Sequence, residues 1–208
     1  MLTRIIIYLA LILLVLISLF LLYWRLYFLR DPKRTAPKGR NIVSPADGKI
    51  MKIATINKSS TKIDKKYIGK IYTTTKDIAP KTKIISIFMS PLDVHYNRAP
   101  IDGKVISVKY TKGKFFPANN LKKSLQNEKN EIIIKNKSIG KIKVIQIAGI
   151  LARRIECYVK ENQNVIKSQK IGLINLGSQC ILVLPDKLKL KVKERQQVYA
   201  GETIIAEY

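Results

Sequence analysis

Three short stretches of the 208-residue chain carry residue types that could do chemistry together. The first is Leu176-Gly177-Ser178-Gln179, set between the apolar runs IGLIN and CILVLP. Glycine leaves its carbonyl unhindered, and a neighbouring serine hydroxyl can reach that carbonyl where the turn is strained. The chemistry on offer is attack on a backbone carbonyl, once a base has activated the hydroxyl. The second stretch, Ser90-Pro91-Leu92-Asp93, has an N-cap serine, a proline at the first helical position and an acid at the third, a sound start for a helical turn. That turn presents His95, the single histidine and the one side chain whose ordinary pKa suits proton shuttling near neutrality. The third is Ser44-Pro45-Ala46-Asp47-Gly48, whose Asp47 could orient and polarise His95 as the acid of a nucleophile–base–orienter set. Asp102, in the sister motif Pro100-Ile101-Asp102-Gly103, competes for that role. Each stretch also has a plainer explanation: a Gly-Ser hairpin, a capped turn with an exposed histidine, and a structural β-turn.

A lone histidine excludes mechanisms that need two imidazoles. Cys157 and Cys180 make no Cys-x-x-Cys pair, so neither a disulfide framework nor a metal site is expected, and both thiols are predicted to pack as small apolar groups. Arg98, Arg153 and Arg154 are candidates for a substrate phosphate or carboxylate, which guanidinium binds in bidentate fashion. The alternative for the 153–154 pair is a solvated basic face.

The elements that must position these residues follow from patterning. Ile5 to Trp24 is twenty residues without a charge, the length that crosses a hydrocarbon core of about 30 Å. It is longer than a signal-peptide core and no small-x-small site follows, so a retained transmembrane anchor over residues 1–30 is expected. Tyr23, Trp24 and Tyr27 would lie at the membrane interface. Only Arg4 precedes the span, whereas Arg25, Arg30, Lys33, Arg34, Lys38 and Arg40 follow it, which puts the C-terminal bulk on the cytoplasmic side of the cell membrane. The net charge is +25, of which residues 35–208 hold +21, a balance that draws a tethered domain toward anionic lipid. A Lys/Ile/Asn-rich composition could produce the same charge. Nucleic acid is not the expected partner, because the lysines are scattered through strand-like segments.

Asp31 to Arg40 reads as a Pro- and Gly-containing linker, and residues 41–208 as one β domain. Leu188 to Lys193 alternates with period two, and strands are also predicted at 49–56, 67–73, 82–89, 103–110, 131–137, 141–149, 151–159, 171–175, 180–184 and 203–206. Only 117–127 reads as helical. A compact barrel or sandwich follows. Two internal echoes suggest paired halves of a lipoyl-like kind: SPADGKI at 44–50 with APIDGKV at 99–105, and VKENQNVIKSQKIGLI at 159–174 with VKERQQVYAGETIIAE 33 residues later. The lysine-bearing carrier turn of lipoyl domains is missing.

Taken together, SPADGK, SPLDVHYNRAP followed by IDGKV, and LGSQ ahead of a terminal strand pair resemble the short, archaeal-type form of phosphatidylserine decarboxylase proenzyme over about residues 41–206. AGILARRIECYVKENQNVIKSQKIGLINLGSQCILVLP matches the C-terminal region of that family. The resemblance implies self-cleavage between Gly177 and Ser178, giving a β chain of residues 1–177 and an α chain of residues 178–208 that stay associated as a heterodimer. A covalent pyruvoyl group derived from Ser178 would form a Schiff base with the amine of phosphatidylserine and accept the electrons released with carbon dioxide. The product would be phosphatidylethanolamine. Asp47 becomes the acid of the processing triad, and His95 matches the first histidine of the family's Tyr-His-x-x-His-x-Pro block. The second histidine of that block falls on Arg98, so His95 must cover both processing and proton delivery, or one task passes to water or another side chain. Higher oligomers are compatible with all of this.

Two other functions fit parts of the pattern. A non-catalytic membrane-tethered adaptor on a lipoyl-like sandwich would explain the second echo. A membrane-bound serine hydrolase fits less well, because no Gly-x-Ser-x-Gly elbow is present.

Overall fold

The computed structural model describes residues 1–57, 75, 77–114, 116, 117, 121–149, 154–175 and 178–208. It opens with helix α1 (Leu2–Leu22), which continues as a π-helical turn over Tyr23–Phe28. The widened register shows in the Leu29 N–H, which donates to the Trp24 carbonyl five residues back at 3.0 Å. The combined 27 residues are long and apolar enough to cross a membrane.

The rest is mainly β. Strands β1 (Asn41–Val43), β2 (Gly48–Asn57), β3 (Lys81–Met89), β4 (Tyr96–Arg98), β5 (Gly103–Thr111), β6 (Lys129–Asn136) and β7 (Gly140–Ile147) come first. They are followed by β8 (Ile155–Cys157), β9 (Asn164–Val165), β10 (Lys170–Ile174), β11 (Ser178–Pro185), β12 (Lys189–Leu190), β13 (Gln197–Val198) and β14 (Ile204–Glu207). Eight strands make one curled antiparallel sheet, ordered β13-β2-β3-β11-β7-β6-β5-β9. Two three-stranded sheets, β1-β14-β12 and β4-β10-β8, complete the body. Every residue of β11 is buried, which accounts for the unbroken apolar run CILVLP: a central strand covered on both faces has no solvent side to make polar.

The strand order reads the same from either end. Exchanging β1–β3 with β4–β6, and β7–β10 with β11–β14, maps each sheet onto its counterpart, with an approximate twofold axis between β7 and β11. The hydrogen bonds repeat too. Ile50 N donates to Gln196 O at 2.9 Å and Val105 N to Gln163 O at 2.8 Å; Gly201 N donates to Ser44 O at 2.8 Å and Ser168 N to Ala99 O at 2.9 Å. Left-handed backbone recurs at the same offset, at Asn162 and Arg195 and at Ser168 and Gly201. The last two positions face one another, since a Cβ on Gly201 would lie 2.1 Å from Ser168 Oγ. Only one copy can therefore carry a side chain there.

Most predicted strands are present within a residue or two. The strand at 67–73 lies outside the described residues, as do the first three residues of 151–159; of the remainder of that segment only Ile155–Cys157 is strand. Two expectations need correction. Leu188–Lys193 forms only the two-residue β12, and of 117–127 only Leu121–Ser124 is helical among the described residues. In the first case Leu188, Leu190 and Val192 do face the core, but only Lys189 and Leu190 pair with β14. Nor is 31–40 a free linker. Lys167 Nζ donates to the carbonyls of Pro37 (2.7 Å) and Gly39 (3.2 Å) and to Asn41 Oδ1 (2.9 Å), strapping it to the domain.

Candidate active site

The site forms where β3 ends and β11 begins. Ser178 pairs in register with Met89, is fully buried, and its Oγ donates to Met89 Sδ at 3.3 Å. A thioether is a weak acceptor, so the hydroxyl is held without being strongly committed. Beneath it runs a buried polar row. Asn97 Nδ2 donates to Met89 Sδ at 3.7 Å, Gln146 Nε2 to Asn97 Oδ1 at 2.9 Å, and Asn130 Nδ2 to Gln146 Oε1 at 2.9 Å. Each amide satisfies its neighbour, which fixes the floor under the serine.

His95 ends the turn that the Ser90 cap starts. Asp93 Oδ2 accepts from both the N–H and the hydroxyl of Ser90 at 2.7 Å, and the Asp93 N–H donates to the Ser90 carbonyl at 2.9 Å, so the acid closes the turn from one side only. The imidazole is completely buried, and its Nδ1 sits 2.9 Å from the Asp93 carbonyl oxygen. A carbonyl can only accept, so Nδ1 carries the proton and Nε2 presents a bare lone pair. Nε2 is buried without a hydrogen-bond partner. Burial pushes the imidazole pKa down to about 4, against the Asp93 carbonyl and carboxylate, which raise it; Arg30 lowers it further. At neutral pH the ring is therefore an uncharged base.

Ile174 N donates to the His95 carbonyl at 3.3 Å, so the chain leaves the histidine four residues before it reaches Ser178. The Ser178 hydroxyl and the His95 ring are not hydrogen-bonded to one another.

Asp47 does not orient His95, contrary to the expectation from sequence. Its Oδ1 accepts from the Ala200 N–H and its Oδ2 from Arg34 Nη2, both at 2.7 Å. A guanidinium takes the carboxylate: Arg34, from the expected linker, is half-buried beside it and also reaches Glu202 at 2.7 Å. Burial pushes the Asp47 carboxyl above its ordinary range, against the Ala200 N–H and Arg34, which pull it down. Asp102 is exposed and accepts from the Lys167 N–H at 2.7 Å, the repeat of the Asp47–Ala200 bond.

Gly177 and Arg153 lie outside the described residues. Arg98 is committed to Asp31 Oδ1 and, at 2.8 Å, to the Ser168 carbonyl; Arg154 is exposed. Cys180 is buried as expected, but Cys157 is exposed, because β8 lies at the edge of its three-stranded sheet. No trio of His, Cys, Asp or Glu fit for a metal occurs among the described residues.

Sequence reasoning missed Arg34, Met89 and Phe28. Phe28 stacks on the His95 ring with centroids 4.2 Å apart. The signal for it was there: Phe20, Trp24 and Phe28 recur every four residues on one helical face.

The duplicated β domain thus buries a serine hydroxyl and an uncharged imidazole, groups of the kind enzymes use. Comparison with known proteins gives the family. The family model for phosphatidylserine decarboxylase matches residues 21–206. A candidate archaetidylserine decarboxylase proenzyme of Methanocaldococcus jannaschii is 41% identical over 187 residues, covering 89% of this chain and 90% of the relative. A phosphatidylserine decarboxylase proenzyme of Chlorobium limicola is 38% identical over 192 residues, 92% of this chain and 82% of its own length. A second candidate archaetidylserine decarboxylase proenzyme, from Methanothermobacter thermautotrophicus, is 42% identical over 186 residues, 87% and 79% of the two chains. The chain belongs to the phosphatidylserine decarboxylase family and is a decarboxylase of phospholipid biosynthesis.

Proposed function

We propose that the protein decarboxylates phosphatidylserine to phosphatidylethanolamine with a pyruvoyl group that it makes from Ser178. The observation that carries this reading is the buried, unpartnered His95 Nε2, an uncharged lone pair on a residue whose carbonyl is bonded by Ile174 N, four positions ahead of the buried Ser178.

His95 takes the hydroxyl proton as Ser178 Oγ adds to the Gly177 carbonyl, and the Ser178 nitrogen leaves as an ester forms. Loss of the Ser178 α-proton breaks the Cβ–Oγ bond and releases Gly177 as a carboxylate. Residue 178 is left as dehydroalanine; water adds, ammonia departs, and residues 1–177 and 178–208 become separate β and α chains of one heterodimer. The residues present fit the resulting group, since position 178 is sealed from water and rests on Met89 and the Asn97–Gln146–Asn130 row. The pyruvoyl ketone supplies an electron sink for the pair released with carbon dioxide. His95 then holds the proton that the substrate carbon takes up. Asp47, the acid expected in processing, acts through the frame it makes with Arg34 and the Ala200 N–H. Arg153 and Arg154 are the arginines left for the substrate phosphate, because Arg98 is held by Asp31.

α1 sets this chemistry at the membrane, and the basic residues after the helix favour the cytoplasmic face of the cell membrane with its anionic lipids. Denaturing mass analysis tests the reading. Wild-type protein is expected as two fragments, the 31-residue one blocked and carbonyl-reactive at its N-terminus. Ser178→Ala is expected as one 23.7 kDa chain without activity. An uncut wild-type chain with no ketone would overturn the proposal.

A further inference from the structure

We propose that Phe28, the last residue of the π-helical turn, is a positioning residue for His95, so that the membrane helix supplies one wall of the active site. The proposal rests on the reading of His95 as the processing base.

Phe28 is the one buried residue of the 27-residue helix, and no residue of α1 is buried. An apolar helix that served only as an anchor would have no cause to sink a ring into the β domain. Here that ring lands on the single histidine, at 4.2 Å between centroids and tilted by 34°. Behind it the stack continues outward: Trp24 lies on Phe28 at 4.5 Å and 10°, and Phe20 on Trp24 at 6.1 Å. The helix also grips the histidine's turn on either side of Phe28. Tyr23 Oη donates to the Pro91 carbonyl at 2.7 Å, and Arg30 Nη2 donates to the Leu92 carbonyl. The π-helical register falls on this segment, as such widened turns often do at functional sites.

The consequences for the imidazole are physical. A flat apolar ring over one face excludes water there and fixes the ring plane, while Nδ1 is tied to the Asp93 carbonyl. Nε2 is left as the open polar edge, aimed rather than free to turn. The charged groups acting on the ring are Asp93, from its own turn, and Arg30, from the helix end; Phe28 adds no charge and works by desolvation and shape.

The test uses the full-length chain in lipid nanodiscs. Phe28→Leu keeps the apolar volume but removes the ring, and is expected to slow appearance of the 31-residue fragment by about tenfold or more at neutral pH. The acid limb of the cleavage-rate profile should move up by roughly one unit or more. Phe28→Tyr, which restores the ring, should recover most of the rate. In the Ser178→Ala chain the lone histidine gives one imidazole signal, expected to be shifted upfield by the Phe28 ring, to show a cross-peak to it, and to titrate higher once Phe28→Leu is added. That cross-peak is read without any change at Phe28, so misfolding of a variant does not shelter the proposal. Phe28→Leu cleaving at the wild-type rate with an unmoved profile, Phe28→Tyr as slow as Phe28→Leu, or a missing cross-peak would each overturn it. Normal cleavage in His95→Ala is a different result, and removes the underlying reading of His95 instead.

Discussion

The two ends of the eight-stranded sheet are built from the same parts and come out differently. At one end β6 and β7 close as a tight hairpin, Asn136 paired with Gly140 across an exposed turn. At the other, the equivalent strands are β3 and β11, and the equivalent pair is Met89 with Ser178. There β3 does not turn back. It runs into the 90–95 turn and His95, and β11 starts from elsewhere in the chain. The hairpin end leaves a hollow of about 590 Å³, lined by Asp102, Lys104, Lys135 and Asn136 among others. At the site end the 90–95 turn reaches β13, with Gln197 Nε2 donating to Asp93 Oδ1 at 3.1 Å. Duplication supplies a rigid frame, and chemistry becomes possible where one copy gives up its hairpin.

The same contrast separates the two aspartates. Asp47 and Asp102 make the same bond to a backbone N–H, so that bond is part of the frame and says nothing of catalysis. What distinguishes Asp47 is its burial and its second partner, Arg34.

Substitutions at equivalent positions can break this contrast. The largest difference is expected between His95→Ala and Arg40→Ala, which occupy corresponding places just ahead of β4 and β1. The first should slow self-cleavage by about 10²- to 10⁴-fold and the second should leave it unchanged, by gel assay of precursor decay. Next come the aspartates. Asp47→Ala leaves the half-buried Arg34 guanidinium with Glu202 alone and should cost about 3 kcal/mol in denaturant unfolding of the uncut Ser178→Ala chain. Asp102→Ala loses one exposed hydrogen bond, and about 1 kcal/mol or less is expected.

Acid sharpens the comparison further. His95 titrates near pH 4 when folded and near its ordinary 6.5 when unfolded, so between those values the unfolded chain binds the extra proton. Stability from this group is complete above pH 6.5 and falls as pH drops toward 4, by about 3 kcal/mol over the window. His95→Ala should flatten that part of the stability profile. The smallest effect is expected at the axis. Ser168 holds left-handed backbone that its counterpart Gly201 adopts freely, so Ser168→Gly should stabilise by about 1 kcal/mol or less, again by denaturant titration.

Much of the frame was legible in the sequence because it rests on local signals. CILVLP is apolar on every residue and proved to be the central strand; both Asp-Gly turns and the 33-residue echo marked the duplication. The alternation at Leu188–Lys193 reported burial correctly but not pairing, since side-chain patterning senses water and carries no record of which backbone lies alongside. Ser178 and His95, singled out in the sequence by residue type, are both buried. The wiring around them was not legible there. Asp47 was matched to His95 by chemical role, yet the structure gives its carboxylate to Arg34, in a segment whose Pro, Gly and charges read as a tether. Long-range ion pairs leave no periodic trace.

A break before Ser178 would separate two pieces that remain stitched. The 31-residue piece is threaded through all but one of the molecule's sheets: β11 lies between β3 and β7, β13 borders β2, and β14 lies between β1 and β12. Arg34 on the longer piece reaches Glu202 on the shorter. Scission of that one covalent link would leave the fragment held by four interwoven ladders, β11 to β3 and to β7, β13 to β2, and β14 to β1; maturation of that kind would be a change of chemistry inside an unchanged body.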